Sequence, residues 1–243
     1  MLFNRRKKEF IDLSFLRTDI HSHLIPGIDD GAQNTEDSLE FIKGLSELGF
    51  KKIITTPHVL WEMYPNTPEI ITSGLAELRN AIVEADIAVE ISAAAEYYID
   101  EHFQEHLKNR IPLLPISENM VLVEYSMITT PMDLKGIFFE MQLQGYHPVI
   151  AHPERYIYLK NNKSFFDDLK DAGYLFQINL LSMIGYYGIA VQELSEYLIK
   201  KKYYDFAGTD LHSRRHLQLL RKVGSSKLYN ALIDSNPIKN TSL

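Results

Sequence analysis

The chain of 243 residues contains no cysteine. That excludes disulfides, cysteine-ligated zinc, iron–sulfur clusters and thiol nucleophiles, a cysteine-based phosphatase among them. No stretch reaches the roughly 18 apolar residues of a membrane span. The opening MLFNRRKKEF carries basic side chains with no apolar run behind them, so it does not read as a secretory signal, and a cytoplasmic location is expected. Excess positive charge is also missing: 25 Lys and Arg face 32 Asp and Glu, for a formal net charge of −7. The broad basic footprint of a nucleic-acid binder is therefore absent. The Arg5-Arg6-Lys7-Lys8 run reads as a solvated chain end, with anionic lipid or a partner as the alternative.

Hydrophobic residues make up 45% of the chain, enough for a folded core rather than disorder. No repeat, low-complexity tract or linker interrupts it. The reading is one domain over 17–243, preceded by an N-terminal extension over residues 1–16 whose IDLSFL segment packs on that domain. Seven β-type runs recur, at Arg17–His23, Lys51–His58, Ala88–Tyr97, Met120–Ser126, His147–Glu154, Tyr174–Leu180 and Tyr204–His212. Most are apolar throughout, as in KKIITT, MVLVEY and HPVIAH, the pattern of parallel strands covered on both faces. Helical patterns lie between them. One starts after Asn34 or Thr35, with Leu39, Ile42, Leu45 and Leu48 on a stripe that stops at Gly49; others cover Pro68–Ala85, Pro131–Gln144, Asn162–Ala172 and Val191–Lys202. This alternation predicts an α/β barrel of parallel strands.

In such a barrel the C-terminal strand ends open onto one face. All but one of the runs end there in metal-type residues: Asp19, His21 and His23; His58; Glu96; Glu124; His152; and Asp210 with His212. The sixth ends in Asn179. Residues two apart on a strand point to the same side, so His21 and His23 form a pair, as do Asp210 and His212. The turn-rich stretch after His23 folds Asp30 back over the site. Any one of these residues alone reads as a satisfied core histidine or a solvated acid. Five of the nine histidines together with several carboxylates on one rim point instead to a metal site. Asp30, Glu96, Glu124 and Asp210 bring four negative charges, which two divalent ions neutralise and three outweigh. A cluster of that charge attracts phosphate and generates hydroxide near neutral pH.

Asp19-Ile20-His21-Ser22-His23, Asp29-Asp30-Gly31 and Thr56-Pro57-His58 resemble the opening motifs of the PHP (polymerase and histidinol phosphatase) superfamily. Glu96 in AAAEYY, Glu124 in VLVEYS, His152 in IAHPERY and Asp210 and His212 in GTDLH are similar to the bacterial PHP-type tyrosine phosphatases, the CpsB- and YwqE-like enzymes of capsule and exopolysaccharide systems. The resemblance spans about residues 17–223. It implies a distorted seven-stranded β/α barrel and a metal-dependent protein-tyrosine phosphatase. It also implies a cluster of two or three divalent ions, manganese first, with iron, zinc or cobalt as alternatives. Carried over position by position, the ligands are His21, His23, Asp30, His58, Glu96, Glu124, His152, Asp210 and His212. Asp19 is then a carboxylate that orients a histidine. Arg155 meets the substrate phosphate with its guanidinium fork, and Arg214 or Arg215 supplies a second contact, or is an ordinary surface arginine.

The mechanism implied is in-line attack by metal-activated hydroxide without a phosphoenzyme, with Asp210, His212 or a water protonating the leaving tyrosinate. The implied partner is a bacterial tyrosine kinase with a phosphorylated tyrosine tail. One loop departs from the family pattern: after His58 it reads VLWEMYPNTPE, so Trp61 and Tyr64 either line the entrance or pack as a lid or subunit contact in a homo-oligomer. Three rivals remain open. One is another PHP phosphoesterase, either a histidinol-phosphate phosphatase or a nuclease. The others are an amidohydrolase-type deacetylase, against which Glu124 counts, and a non-catalytic regulator, against which the intact ligand set counts.

Overall fold

The computed structural model describes residues 12–243. The Arg5–Lys8 run and the first part of the expected extension lie outside the described residues. Of the rest of that extension, Leu13 and Leu16 are fully buried in the main core, and the Leu13 N–H donates to the Leu48 carbonyl at 2.9 Å.

The chain alternates strand and helix. It runs β1 (Thr18–Asp19), α1 (Thr35–Glu47), β2 (Lys52–Thr55), β3 (His58–Val59), α2 (Pro68–Glu84), β4 (Glu90–Ala93), β5 (Glu96–Tyr98) and α3 (Glu101–Lys108). It continues through β6 (Met120–Glu124), α4 (Leu134–Leu143), β7 (His147–Ala151), α5 (Ser164–Asp171), β8 (Leu175–Asn179), α6 (Ile189–Lys200), β9 (Phe206–Gly208), α7 (Arg214–Leu220) and α8 (Lys227–Ser235). Local chemistry sets the helix starts. The Asn34 side chain accepts from the Asp37 N–H at 2.9 Å to cap α1, and Thr67 caps α2 with Pro68 in its first turn. Ile71, Leu75, Leu78 and Ile82 form the buried stripe of α2, as their spacing predicts. By contrast α4 starts at Leu134 rather than Pro131, because Pro131–Leu134 closes a separate turn through Leu134 N–H to Pro131 O at 3.3 Å.

Every strand pairing is parallel. Among the described residues the seven expected strands appear as nine short ones in two sheets, ordered β1-β2-β4 and β3-β5-β6-β7-β8-β9. The extra two arise because the second and third runs are each interrupted. Thr56-Pro57 separates β2 from β3, and Ala94-Ala95 separates β4 from β5. Pro57 has no N–H to give the ladder. Register survives the break: Thr55 faces Ala93 and His58 faces Glu96, the same separation along the chain. The chain around Ser22 bonds to both neighbours, with Thr56 N–H donating to Ser22 O at 2.7 Å and His23 N–H to Leu211 O at 3.1 Å.

Alternation along the strands builds two cores. Val121, Val123, Ile150, Phe176 and Ile178 face the helices in the main cluster. Leu122, Val149, Ala151 and Phe206 face the other way, with Ile20, Ile54, Ala94 and Ile116, in a smaller cluster. Glu124 shares a strand face with Leu122, so this apolar floor lies on the side from which the site is built.

Candidate metal centre

The strand ends bring all nine expected ligands together. Glu96 lies at the middle. Its Oε2 is 3.2 Å from His21 Nε2, 3.5 Å from His23 Nε2 and 3.1 Å from His58 Nδ1, while its Oε1 is 3.1 Å from His152 Nε2. Glu124 faces His58 at 3.3 Å and His152 at 3.7 Å. Asp210 Oδ1 stands 3.3 Å from His21 and 3.4 Å from His23. Asp30 reaches His58 and His212, each at 3.4 Å. Four overlapping groups have donor atoms close enough to share an ion: His23, Asp30, His58 and His212; His21, His23 and Glu96; His21, His152 and Asp210; and His58, Glu96 and Glu124. Together they contain all nine residues.

These donors fit divalent ions. His21 Nε2, His23 Nε2, His58 Nδ1 and Glu96 Oε2 are buried without a hydrogen-bond partner and converge on one another. Buried polar atoms are normally satisfied, and a cation satisfies all of these at once. Imidazole and carboxylate without thiolate suit manganese, iron or zinc, and the residues alone do not choose among them.

A surrounding layer aims the rings. Gln177 Oε1 lies 2.9 Å from His21 Nδ1, which turns His21 Nε2 toward the cluster. Asp29 Oδ2 lies 2.8 Å from His23 Nδ1 and accepts from the His58 N–H at 3.1 Å; its Oδ1 accepts from the Gly31 N–H at 2.9 Å. Asn179 donates to Asp210 Oδ2 at 2.7 Å. Sequence reading quoted Asp29 in a motif without giving it a role, and did not single out Gln177. The signals were there: Asp29 precedes Asp30 before a glycine, and Gln177 is two residues before Asn179 on the same strand face. Asp19, expected to orient a histidine, does not touch a ring. Its carboxylate accepts from Thr209 N–H at 2.9 Å and Thr209 Oγ1 at 2.7 Å, so it ties β1 to the segment after β9. Burial pushes it up to about 6.

Backbone strain and close approach mark the same spot. His152 and Asp210 hold φ of 33° and 49°, the left-handed region that non-glycine residues avoid. A side chain at Gly208 would put its Cβ 2.6 Å from His21 Cβ. The charges answer one another. Burial favours neutral imidazole, yet Glu96 and Asp210 lift His21 to about 10 and Glu96 holds His58 well above its usual range. Burial likewise opposes ionisation of Glu96 and Asp210, but His21 draws both well below the usual carboxylate range.

A cavity of about 500 Å³ opens over the cluster, with Asp30, His58, Tyr64, Glu124, Arg155 and His212 on its walls. Arg155 Nη1 donates to Asp210 Oδ2 at 3.1 Å, and the guanidinium sits 4.5 Å from the Tyr187 ring centre. Tyr64 stacks on His58 at 5.6 Å. Trp61 lines a neighbouring cavity instead and stacks on His102 at 3.9 Å. Arg214 is not brought to the site: it pairs with Asp37 at 2.6 Å and Glu40 at 2.7 Å on the face of α1. Arg215 lies 5.6 Å from the Tyr186 ring and does not line the cavity. Both arginines open α7, with five residues between it and the end of β9, and are exposed there. His216, one turn after His212, does line the cavity and was not anticipated. Among the described residues no helix is long and apolar enough to cross a membrane.

The chain is 30% identical over 195 residues to the tyrosine-protein phosphatase YwqE of Bacillus subtilis, covering 80% of this chain and 77% of that protein. It is 30% identical to the putative tyrosine-protein phosphatase CapC of Staphylococcus aureus, over 80% of this chain and 76% of that one. Among solved structures it matches those of YwqE from Bacillus subtilis and CpsB from Streptococcus pneumoniae, described as unique metal-dependent tyrosine phosphatases. That match has a TM-score of 0.77 and 28% identity, over 91% of this chain and 96% of the other. The family model for capsular polysaccharide synthesis, CpsB/CapC, matches residues 17–222, and with the shared fold and the ligand cluster this makes the chain a member of the CpsB/CapC family.

Proposed function

We propose that this chain is a metal-dependent protein-tyrosine phosphatase serving capsule or exopolysaccharide synthesis. The observation that carries the reading is the set of four overlapping ligand groups, in which His21 Nε2, His23 Nε2, His58 Nδ1 and Glu96 Oε2 are buried without a hydrogen-bond partner. The nine residues named above are the proposed ligands of two or three divalent ions, manganese first. When bound, such ions neutralise phosphate oxygens and activate water near neutral pH.

The chain's own residues do the rest. Arg155 binds and orients the phosphate, and its fork neutralises charge that develops there. Asp210 Oδ2 already accepts from Arg155 and Asn179, so in this reading it anchors the guanidinium rather than donating a proton. Tyr64, stacked on His58 at the cavity wall, supplies a face for the tyrosyl ring. Gln177 and Asp29 keep the His21 and His23 rings turned inward. Solvent attack without a phosphoenzyme belongs to the proposal, as do a kinase tail as substrate and a cytoplasmic setting. So does one domain over 17–243 whose strands form a closed, distorted barrel of seven runs. The bonds from Ser22 to both the second and the last run support closure.

The test is turnover of a phosphotyrosine peptide beside histidinol phosphate and short DNA, with manganese and with chelator. Manganese-dependent release from the peptide is expected, with single-turnover phosphate taking one oxygen from labelled solvent. Chelator-insensitive turnover, or a preference for histidinol phosphate or DNA, would overturn the reading.

A further inference from the structure

Beside the catalytic cavity lies a second one of about 680 Å³. The two share Leu60, Met63 and Tyr98 in their walls, so they adjoin. One wall is the tip of the loop between β3 and α2. Leu60 and Tyr64 close this loop with paired backbone bonds of 3.2 and 2.6 Å, and Asn66 pins its base to the Ile28 and His58 carbonyls at 2.9 and 2.8 Å. The opposite wall is the start of α3. The stack of Trp61 on His102 joins the walls, so the groove is preformed.

Two features leave the groove without a counterpart among the described residues. Trp61 and Met63 remain 46% and 64% exposed beside it. Glu62, Asp100, Glu101 and Glu105 line it, no Lys or Arg does, and none of the four forms an ion pair among the described residues. The two cavities therefore ask different things of one ligand: a phosphate over the histidines, and positive charge with an apolar group next door. An extended peptide advances about 3.3 Å per residue, so one to three residues beside a phosphotyrosine bridge adjoining cavities. We propose that this groove binds the segment flanking the phosphotyrosine and selects flanks that carry Lys or Arg beside an apolar residue. The proposal rests on the phosphatase reading above.

The test compares free phosphotyrosine with two phosphotyrosine peptides, one flanked by Lys and one by Glu. The manganese-loaded wild type and a Glu101→Lys/Glu105→Lys double variant are assayed at low and high salt. Both glutamates are exposed on α3, so their replacement leaves the core intact. The wild type should favour the Lys-flanked peptide about tenfold in kcat/KM at low salt, and high salt should erode that ratio. In the double variant the ratio should fall to about one or invert. Equal turnover of both peptides with free phosphotyrosine still hydrolysed would overturn the groove assignment and leave the phosphatase reading standing. Failure to hydrolyse any of the three would overturn that reading itself. If the wild type sediments as an oligomer and the double variant as a monomer, the groove belongs to a second copy of the chain and the proposal falls.

Discussion

At the scale of single residues, the site depends on side chains that are each held from two directions. Arg155 is the plainest case, with Asp210 on one side and the Tyr187 ring beneath. Lysine keeps the charge but loses the fork, so Arg155→Lys should cost about a hundredfold in kcat/KM on a phosphotyrosine peptide. A steady-state comparison checks this, and a loss below threefold would remove Arg155 from the proposed phosphate site. Asp29 is held differently. Burial alone would raise its carboxyl, but the His23 ring and the Gly31 N–H bring it from 3.8 to about 2. A depressed carboxyl contributes stability that is complete above the unfolded value of 3.8 and is lost as pH falls through about 2. Metal-free Asp29→Asn should therefore be less stable than wild type near pH 6, by about 2 kcal/mol. The two should converge near pH 2, as followed by urea unfolding across that range. The nine proposed ligands were legible from residue type and from their place at strand ends or, for Asp30, in the loop after the first run. The role of Asp19 was not, because its partner Thr209 lies 190 residues away.

At the scale of elements, the strand ends form the frame. Apolar runs announced the parallel strands, a capping residue announced the start of α1, and the apolar stripe from Pro68 announced α2. The breaks at Thr56-Pro57 and Ala94-Ala95 were hidden because apolar content does not report a missing ladder bond. The bounds of α7 were not read, although a surface position for Arg214 was one of the two alternatives left open. Glycine on β9 is needed for packing: a Cβ at Gly208 would meet His21 Cβ at 2.6 Å and Gln177 Nε2 at 2.7 Å. Gly208→Ala should destabilise the metal-free chain by about 1–3 kcal/mol. It should also weaken manganese binding, since it displaces both a proposed ligand, His21, and Gln177, which orients it. Denaturant midpoints and metal titration read the two effects separately.

At the scale of the whole molecule, imidazoles and carboxylates are buried together at one mouth and hold each other in place through protons. In the metal-free chain His21 is lifted from 6.5 to about 10. A raised histidine contributes stability that is full below 6.5 and is lost as pH rises through about 10. Metal uptake must displace such protons. Manganese binding should therefore tighten as pH rises from 6 to 8 and should release protons. Calorimetry in buffers of different ionisation heat checks this, and buffer-independent heats would contradict it. Chelation should lower the melting temperature, and manganese at a hundred times its Kd should restore about 2.7 kcal/mol.

The order of the seven apolar runs and of the five helices read between them, and the types and places of the proposed metal-binding residues, come from the amino-acid sequence by itself. Each is a local property: hydrophobic period, cap chemistry and residue type. Only the tertiary structure decided that Asp29 and Gln177, not Asp19, aim the rings. It alone showed that Arg155 reaches the cavity while Arg214 pairs with α1, and that an acidic groove adjoins the site. These depend on contacts between segments far apart in the chain, and a contact of that kind leaves no periodicity in either segment to read.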